Sequence, residues 1–144
     1  MSSITETMTA DHRHCDEIFA RAEELVANRD WEQATTRYGE FRDAMEHHFS
    51  MEEEALFPRF EARVGNAMGP TQVMRMEHIQ MRKLFDDMGE AVQQQDRDRY
   101  LGLSETLMML MQQHNMKEEQ MLYPMTDQVF GGEAADVLGE MDQV

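Results

Sequence analysis

The chain has 144 residues, a length that favours one domain over residues 1–144, and 29 Asp and Glu against 13 Lys and Arg give a formal net charge of −16. One cysteine excludes an internal disulfide framework, and the lack of an apolar run of about 18 residues excludes a typical membrane span. The acidic balance argues against nucleic acid and anionic membranes as partners, and the N-terminus lacks a signal-peptide layout, so we expect a cytoplasmic protein.

Composition and periodicity predict an all-α protein. Good helix formers dominate long stretches, and no alternating strand pattern stands out. Apolar residues spaced by three and four predict four long helices and a short fifth helix, over about 5–28, 31–63, 71–94, 97–130 and 133–141. Asp30, Thr71 and Asp96 are suited to cap the second, third and fourth helices. Short connections then favour an antiparallel up-down-up-down four-helix bundle.

Glycine and proline mark interruptions of these helices. Residues 65–70, Gly-Asn-Ala-Met-Gly-Pro, predict a loop, and the pair Gly131-Gly132 ends the fourth helix. Pro58 and Pro124 lie inside the second and fourth helical segments. Each is expected to bend its helix or end it early, because a proline ring clashes with the carbonyl four residues back.

The sequence matches itself when it is shifted by 66 residues. The matching pieces are Asp11-His12 with Glu77-His78, Phe19 with Phe85, Asp30 with Asp96, Met45 with Met111, His48 with His114, Glu52-Glu53 with Glu118-Glu119, and Leu56-Phe57-Pro58 with Leu122-Tyr123-Pro124. We interpret this as a helix pair used twice, with repeat halves of about 8–65 and 74–131 and an approximate two-fold axis along the bundle. His14 and His47 fall outside the repeat and are expected to be exposed.

Six side chains that follow the repeat could meet at one level of the bundle: His12, His48, Glu52, His78, His114 and Glu118. Residues four apart share one helix face, so each His-x-x-x-Glu pair can present a nitrogen and an oxygen to one cavity. Four imidazoles and two carboxylates suit two ions, each held by two histidines, with both glutamates bridging. Water, hydroxide or oxide would complete the coordination. This donor set favours iron first and manganese next.

Several of these residues also have a simpler explanation. A single core histidine is usually just hydrogen-bonded, but four in register, two of them followed one turn on by glutamate, favour a metal site. Glu53 and Glu54 fit a solvated helix face. The methionines are expected to fill the core, with Met81 and Met111 near the cavity, and Cys15 is expected to be a small buried apolar residue rather than a ligand.

At these residues the chain resembles the hemerythrin-like HHE cation-binding domains. The matching pieces are Asp11-His12-Arg13, His48 through Glu52-Glu53 to Leu56-Phe57-Pro58, Met76-Glu77-His78, and His114 through Glu118-Glu119 to Leu122-Tyr123-Pro124. The resemblance covers about residues 8–131 and implies a four-helix bundle with a non-haem di-iron centre. Two iron ions, bridged by carboxylate and by oxo or hydroxo groups, would have as ligands His12, His48, Glu52, His78, His114 and Glu118.

One departure from the oxygen carriers of this family concerns Arg82. Oxygen-carrying hemerythrins have a further histidine at this place, and their fourth-helix carboxylate would correspond to Glu119. The pattern looks closer to the members with four histidines and two glutamates, such as proteins similar to the bacterial repair-of-iron-centres group and the iron-sensing domain of a ubiquitin-ligase subunit. Asp16 is the repeat partner of Arg82. We hypothesise an ion pair or gate between Asp16 and Arg82 across the centre; the alternative is two solvated helix residues.

The leading functional interpretation is a di-iron protein that binds or reduces dioxygen, peroxide or nitric oxide. Glu53 and Glu119 are candidates to hydrogen-bond the imidazoles of His12 and His78 and so tune the centre. An iron or oxygen sensor read by a partner, an oxygen-storage protein without turnover and a metal-free acidic bundle are the alternatives. The sequence leaves turnover, sensing and oligomeric state open.

Overall fold

The computed structural model describes residues 2–144, which fold into helices and contain no strand. The α-helices are α1 (Ile4–Ala27), α2 (Trp31–Ser50), α3 (Phe57–Val64), α4 (Pro70–Gln93), α5 (Arg97–Lys117), α6 (Tyr123–Phe130) and α7 (Ala134–Asp142). Two π-helical segments, Met51–Leu56 and Glu118–Leu122, join α2 to α3 and α5 to α6. The predicted all-α architecture, with four long helical segments and a short C-terminal helix, is confirmed.

Helical segments that follow each other in the chain pack side by side, as expected for a bundle with short connections. Helix α1 packs against α2, and α4 packs against α5; α1 also contacts α5 and α6, while α2 contacts α4. Two clusters of buried apolar side chains fill the interior, one around Phe41 and Phe85 and the other around Leu56 and Leu122. The histidine level lies between these clusters along the helices. None of the helices in residues 2–144 is long and apolar enough to cross a membrane.

The two prolines do not end their helices, because each follows a widened turn. Pro58 lies in the first turn of α3 and Pro124 in the first turn of α6, where a missing N–H is tolerated. Just before them, the backbone N–H of Phe57 bonds to the carbonyl of Glu52, and the N–H of Tyr123 to that of Glu118. These bonds span five residues, which defines the π-helix. The chain therefore runs through both prolines instead of stopping there.

Hydrogen bonds at the helix ends repeat across the two halves of the chain. The Asp127 carboxylate accepts from the Thr5 backbone N–H at 3.0 Å and from its hydroxyl at 2.7 Å, which closes the start of α1. At the equivalent positions the Thr71 hydroxyl donates to Glu61 at 2.7 Å at the start of α4. A carboxylate at a helix N-terminus satisfies free N–H groups and interacts favourably with the helix dipole. A bond from a threonine hydroxyl to a carboxylate thus holds the corresponding end of each helix pair.

Helix α7 breaks the two-fold pattern. It packs against the π-segment Met51–Leu56 and against α6, and it buries Val137 and Met141. Exposed ion pairs between Arg59 and Glu140 and between Arg63 and Glu133 accompany this contact. The second half of the bundle has no such covering helix within residues 2–144. Helix α7 therefore adds apolar burial to one side of the bundle end nearest the histidines.

Candidate metal centre

The structure brings the six predicted side chains together in the middle of the bundle. All are buried, at 0–5% exposure, and they form two overlapping groups that share Glu118. One group contains Glu52, His78, His114 and Glu118, and the other contains His12, His48 and Glu118. Within each group, one possible ligand atom of every residue lies within 4.8 Å of the others. This is an arrangement that two neighbouring metal ions could share.

Each histidine is oriented by a carboxylate behind it. The Nδ1 atoms of His12 and His48 lie 2.6 Å from Glu119 and Asp11 respectively. The Nδ1 atoms of the repeat partners lie 2.6 Å and 2.7 Å from carboxylates as well, in the pairs His78–Glu53 and His114–Glu77. A carboxylate that accepts from Nδ1–H fixes the ring and leaves Nε2 free to bind a metal. All four Nε2 atoms consequently face the same interior space.

Glu53 and Glu119 thus contact His78 and His12, as the sequence indicated. Asp11 and Glu77 do the same for His48 and His114, and sequence reasoning did not assign them this role. A signal was present, since each acid immediately precedes a histidine of the repeat. Because residues adjacent on a helix point in different directions, each acid reaches the histidine of the neighbouring helix and not the one beside it.

Four buried polar atoms in the centre form no well-aligned hydrogen bond within residues 2–144. They are Glu52 Oε1, Glu118 Oε2, His78 Nε2 and His114 Nε2. The two Nε2 atoms lie near the glutamates, at 3.2 Å from His78 to Glu52 Oε1 and 3.3 Å from His114 to Glu118 Oε1. Burying a polar group without a good hydrogen bond costs about 1–3 kcal/mol, so proteins seldom leave several such groups together. Nitrogen and carboxylate oxygen atoms are the donors that first-row transition ions accept. The residues therefore fit the metal that such a site would hold.

The electrostatics of the centre also favour a cation. Burial raises the pKa of Glu52, and the nearby Glu118 raises it further, because two carboxylates in one dry space repel each other. Burial alone would lower the pKa of His78, but Glu52 and Glu53 outweigh it and raise the pKa to about 9. The carboxylates thus favour a positive charge beside them, which a bound metal cation would supply.

Tyr123 also belongs to the centre, although sequence reasoning did not assign it there. Its hydroxyl lies 2.7 Å from Glu52 Oε2 and 3.0 Å from Glu118 Oε1. The same oxygen lies 3.2 Å from His12 Nε2 and 3.3 Å from His48 Nε2. Burial and the two carboxylates raise its pKa well above the ordinary value, so the side chain is a neutral phenol. The only sequence signal was its replacement of phenylalanine in the repeat.

Aromatic rings line the other half of the centre. The ring of Phe49 stacks on His78 with centroids 3.9 Å apart, and Phe57 lies 6.0 Å from His78 at an interplanar angle of 19°. Phe57 is the repeat partner of Tyr123 and is fully buried. This half therefore has an apolar wall where the half around His12 has a hydroxyl.

The predicted ion pair between Asp16 and Arg82 is wrong. The Arg82 guanidinium binds Glu53 at 2.9 Å and Glu46 at 3.0 Å on the face between α2 and α4. Asp16 lies on the opposite face, between α1 and α5, where it lines a cleft of about 260 Å³ with Phe19 and other residues. The cause is the two-fold relation itself, since it places equivalent residues on opposite sides of the bundle.

The remaining sequence expectations concern single residues. Glu118 points into the centre, whereas Glu119 lies behind His12, so Glu118 is the carboxylate that could act as a ligand. His14 and His47 are exposed, as expected. Cys15 is buried, and burial raises its thiol pKa to about 12, so it behaves as a small apolar residue.

A helical bundle with a buried cage of imidazoles and carboxylates defines a class of metal-binding proteins. The family model of the hemerythrin HHE cation binding domain matches residues 3–126, which include all six clustered side chains. The chain belongs to this family. No curated protein and no solved structure gives a significant match to the chain. The match ends before α7, so this helix lies outside the matched residues.

Proposed function

We propose that the protein is a non-haem di-iron protein that binds or reduces a small ligand such as dioxygen, peroxide or nitric oxide. The observation that carries the proposal is the buried cluster in which four polar atoms lack a well-aligned hydrogen bond while every histidine is oriented by a carboxylate. Such an arrangement is costly in a metal-free core and favourable around cations. Iron fits best, because imidazole and carboxylate donors in this ratio suit it.

In this proposal His12, His48, His78 and His114 would hold two iron ions, with Glu52 and Glu118 between them. The iron pair would supply the electrons for binding or reducing the small ligand. The protein would fix the imidazoles, exclude bulk water and set the charge around the centre. The family supports a metal-binding role, and the donor chemistry supports the choice of iron.

Access for a small ligand is favoured from the face between α1 and α5. On the opposite face, Arg82 spans Glu46 and Glu53 and lies 5.1 Å from the ring centroid of Phe49, which covers the approach to His78. The cleft of about 260 Å³ between α1 and α5 has Asp16 in its lining, one helical turn beyond His12. A cleft of this volume could hold a diatomic molecule or peroxide about one helical turn from His12.

Arg82 also bears on the alternative of oxygen storage. It occupies the place of the additional histidine of oxygen carriers, and its guanidinium binds Glu46 and Glu53. A guanidinium held in this way gives the iron pair no extra nitrogen ligand, because arginine stays protonated. Ligand binding with electron transfer is therefore favoured over reversible storage.

The direct test is metal analysis followed by reaction of the reduced protein with dissolved dioxygen. We expect close to two iron ions per chain, and oxidation that is not reversed when oxygen is removed. A stable and reversible charge-transfer absorption band would favour storage. Large thermal stabilisation by iron without reaction would favour a sensor. Absence of bound iron in protein purified and reconstituted under anaerobic conditions would overturn the proposal.

A further inference from the structure

The two halves of the centre are not equivalent, although the residues that could bind metal follow the repeat. The difference is the pair Phe57 and Tyr123, which occupy equivalent positions directly after the two π-segments. One carries a hydroxyl and the other does not. Both side chains are fully buried, so each forms part of the inner wall of the bundle.

The Tyr123 hydroxyl fills the half of the centre that contains His12 and His48. It lies within 3.3 Å of the Nε2 atoms of both histidines and within 3.0 Å of one oxygen of each glutamate. The single hydroxyl oxygen thus contacts both histidine nitrogens and both glutamates. It lies in the space that an ion held by these two histidines would use. These Nε2 atoms consequently have a partner in the protein itself.

The half that contains His78 and His114 has no comparable group. The four atoms of the centre that lack a well-aligned hydrogen bond belong to the group of Glu52, His78, His114 and Glu118. The side chain at the position equivalent to Tyr123 is the Phe57 ring, which offers no hydrogen bond. The groups nearest to the Nε2 atoms of His78 and His114 are oxygens of Glu52 and Glu118, at 3.2 Å and 3.3 Å, which would bind the same ion. An ion entering here therefore displaces no hydroxyl group.

We propose that Tyr123 makes the two metal positions unequal, so that an ion binds first among Glu52, His78, His114 and Glu118 and a second ion binds more weakly beside His12 and His48. The inference rests on the proposed two-metal function and adds an order of filling to it. Tyr123 acts here as a positioning residue. Its hydroxyl must give up its hydrogen bond to Glu52 or Glu118 before the second position can fill.

The size of the effect follows from those contacts. Hydrogen bonds to charged groups contribute about 1.5–3 kcal/mol each, which corresponds to roughly tenfold to a hundredfold in an equilibrium constant. We therefore expect the second ion to bind at least about tenfold more weakly than the first. In an otherwise symmetric donor set, the two affinities would differ little beyond the repulsion between the ions.

The experiment is an anaerobic calorimetric titration of the metal-free protein with Co²⁺, which binds to imidazole and carboxylate without being oxidised by the protein. The variants are Tyr123→Phe, His12→Ala and His78→Ala. Phenylalanine is a matched replacement, because the repeat already places Phe57 at the equivalent position. Thermal melting of each metal-free variant checks that it is folded.

For the wild type we expect two binding steps. His12→Ala should keep the tight step and lose the weak one, and His78→Ala should lose the tight step. Tyr123→Phe should tighten the second step by about tenfold or more and bring the two affinities together. A metal-dependent change in tyrosine fluorescence at the second equivalent of Co²⁺, absent in Tyr123→Phe, would support the same order.

Three results would overturn the inference alone: two equal steps in the wild type, loss of the tight step in His12→Ala, or weaker second binding in Tyr123→Phe. The last result would show the phenol oxygen to be a ligand. A protein that binds no Co²⁺ at all would instead remove the proposed two-metal function, and the inference with it. The two failures are thus distinguishable by the number of ions bound.

Discussion

Removing the negative charge behind His48 should weaken metal binding without removing any ligand. Asp11 lies 2.6 Å from His48 Nδ1 and is partly shielded from solvent, at 25% exposure. Burial would raise the pKa of Asp11, but the contact with His48 outweighs it and keeps the pKa below its usual value. The group is therefore a carboxylate at neutral pH. It holds the ring and makes Nε2 a better electron donor.

The magnitude follows from what each substitution leaves in place. Loss of such an orienting partner typically costs about 10- to 100-fold in metal affinity, or about 1.4–2.7 kcal/mol. Asp11→Asn keeps an acceptor of the same size and removes the charge, so we expect the lower end, about tenfold. Asp11→Ala also frees the ring to rotate, so we expect the upper end, about 100-fold.

The assay is competition for Co²⁺ against a chromophoric chelator, with the number of ions resolved for each variant. Glu54→Gln is the matched control, because this exposed acid lies next to the metal-binding region of the chain without contacting a histidine. Affinities within twofold of wild type for both Asp11 variants would refute the claim that this carboxylate prepares His48 for a metal. An equal loss of Co²⁺ affinity in Glu54→Gln would show that the effect comes from the net charge of the protein and not from the contact with His48.

Three further predictions follow. His48→Ala should leave fewer than two iron ions per chain by elemental analysis, whereas the exposed neighbour variant His47→Ala should keep both. Hydrogen bonds from His78 and Arg82 outweigh burial and lower the pKa of Glu53 to about 2, so its stabilisation of the metal-free protein should be complete above pH 4.5 and be lost as the pH falls towards 2. In thermal melts, the melting temperature of Glu53→Gln should depend less on pH in this range than that of the wild type. An unchanged pH dependence in Glu53→Gln would contradict this prediction. Ala20→Trp, in the cleft between α1 and α5, should slow oxidation of the reduced protein by dioxygen at unchanged metal content, while the repeat-equivalent Asp86→Trp should not; equal rates in both variants would exclude this route.

The sequence was informative wherever periodicity or the repeat carried the signal. Apolar spacing located the helices to within a few residues, and the shift of 66 residues singled out the six side chains that meet in the core. The π-segments were not predictable from a period of 3.6 residues. Pro58 and Pro124 indicated a disturbance, but they could equally have ended the helices. Only the backbone hydrogen bonds of the structure show that the helices continue through both prolines.

Side-chain contacts between different helices could not be predicted from the sequence. Asp11 and Glu77 adjoin one histidine in sequence yet bind the histidine of a different helix. The expected pair of Asp16 with Arg82 failed because the two-fold relation places these equivalent residues on opposite faces of the bundle. Tyr123 was hidden by its similarity to Phe57, since the repeat marks both as core aromatics and only the structure places the hydroxyl among the carboxylates.

The most direct measurement is an anomalous-scattering map from crystals grown with iron. We expect two peaks side by side, one among Glu52, His78, His114 and Glu118 and the other beside His12 and His48, with the first more fully occupied at limiting iron. Iron bound elsewhere on the chain, with no peak between these histidines, would refute the proposed di-iron centre.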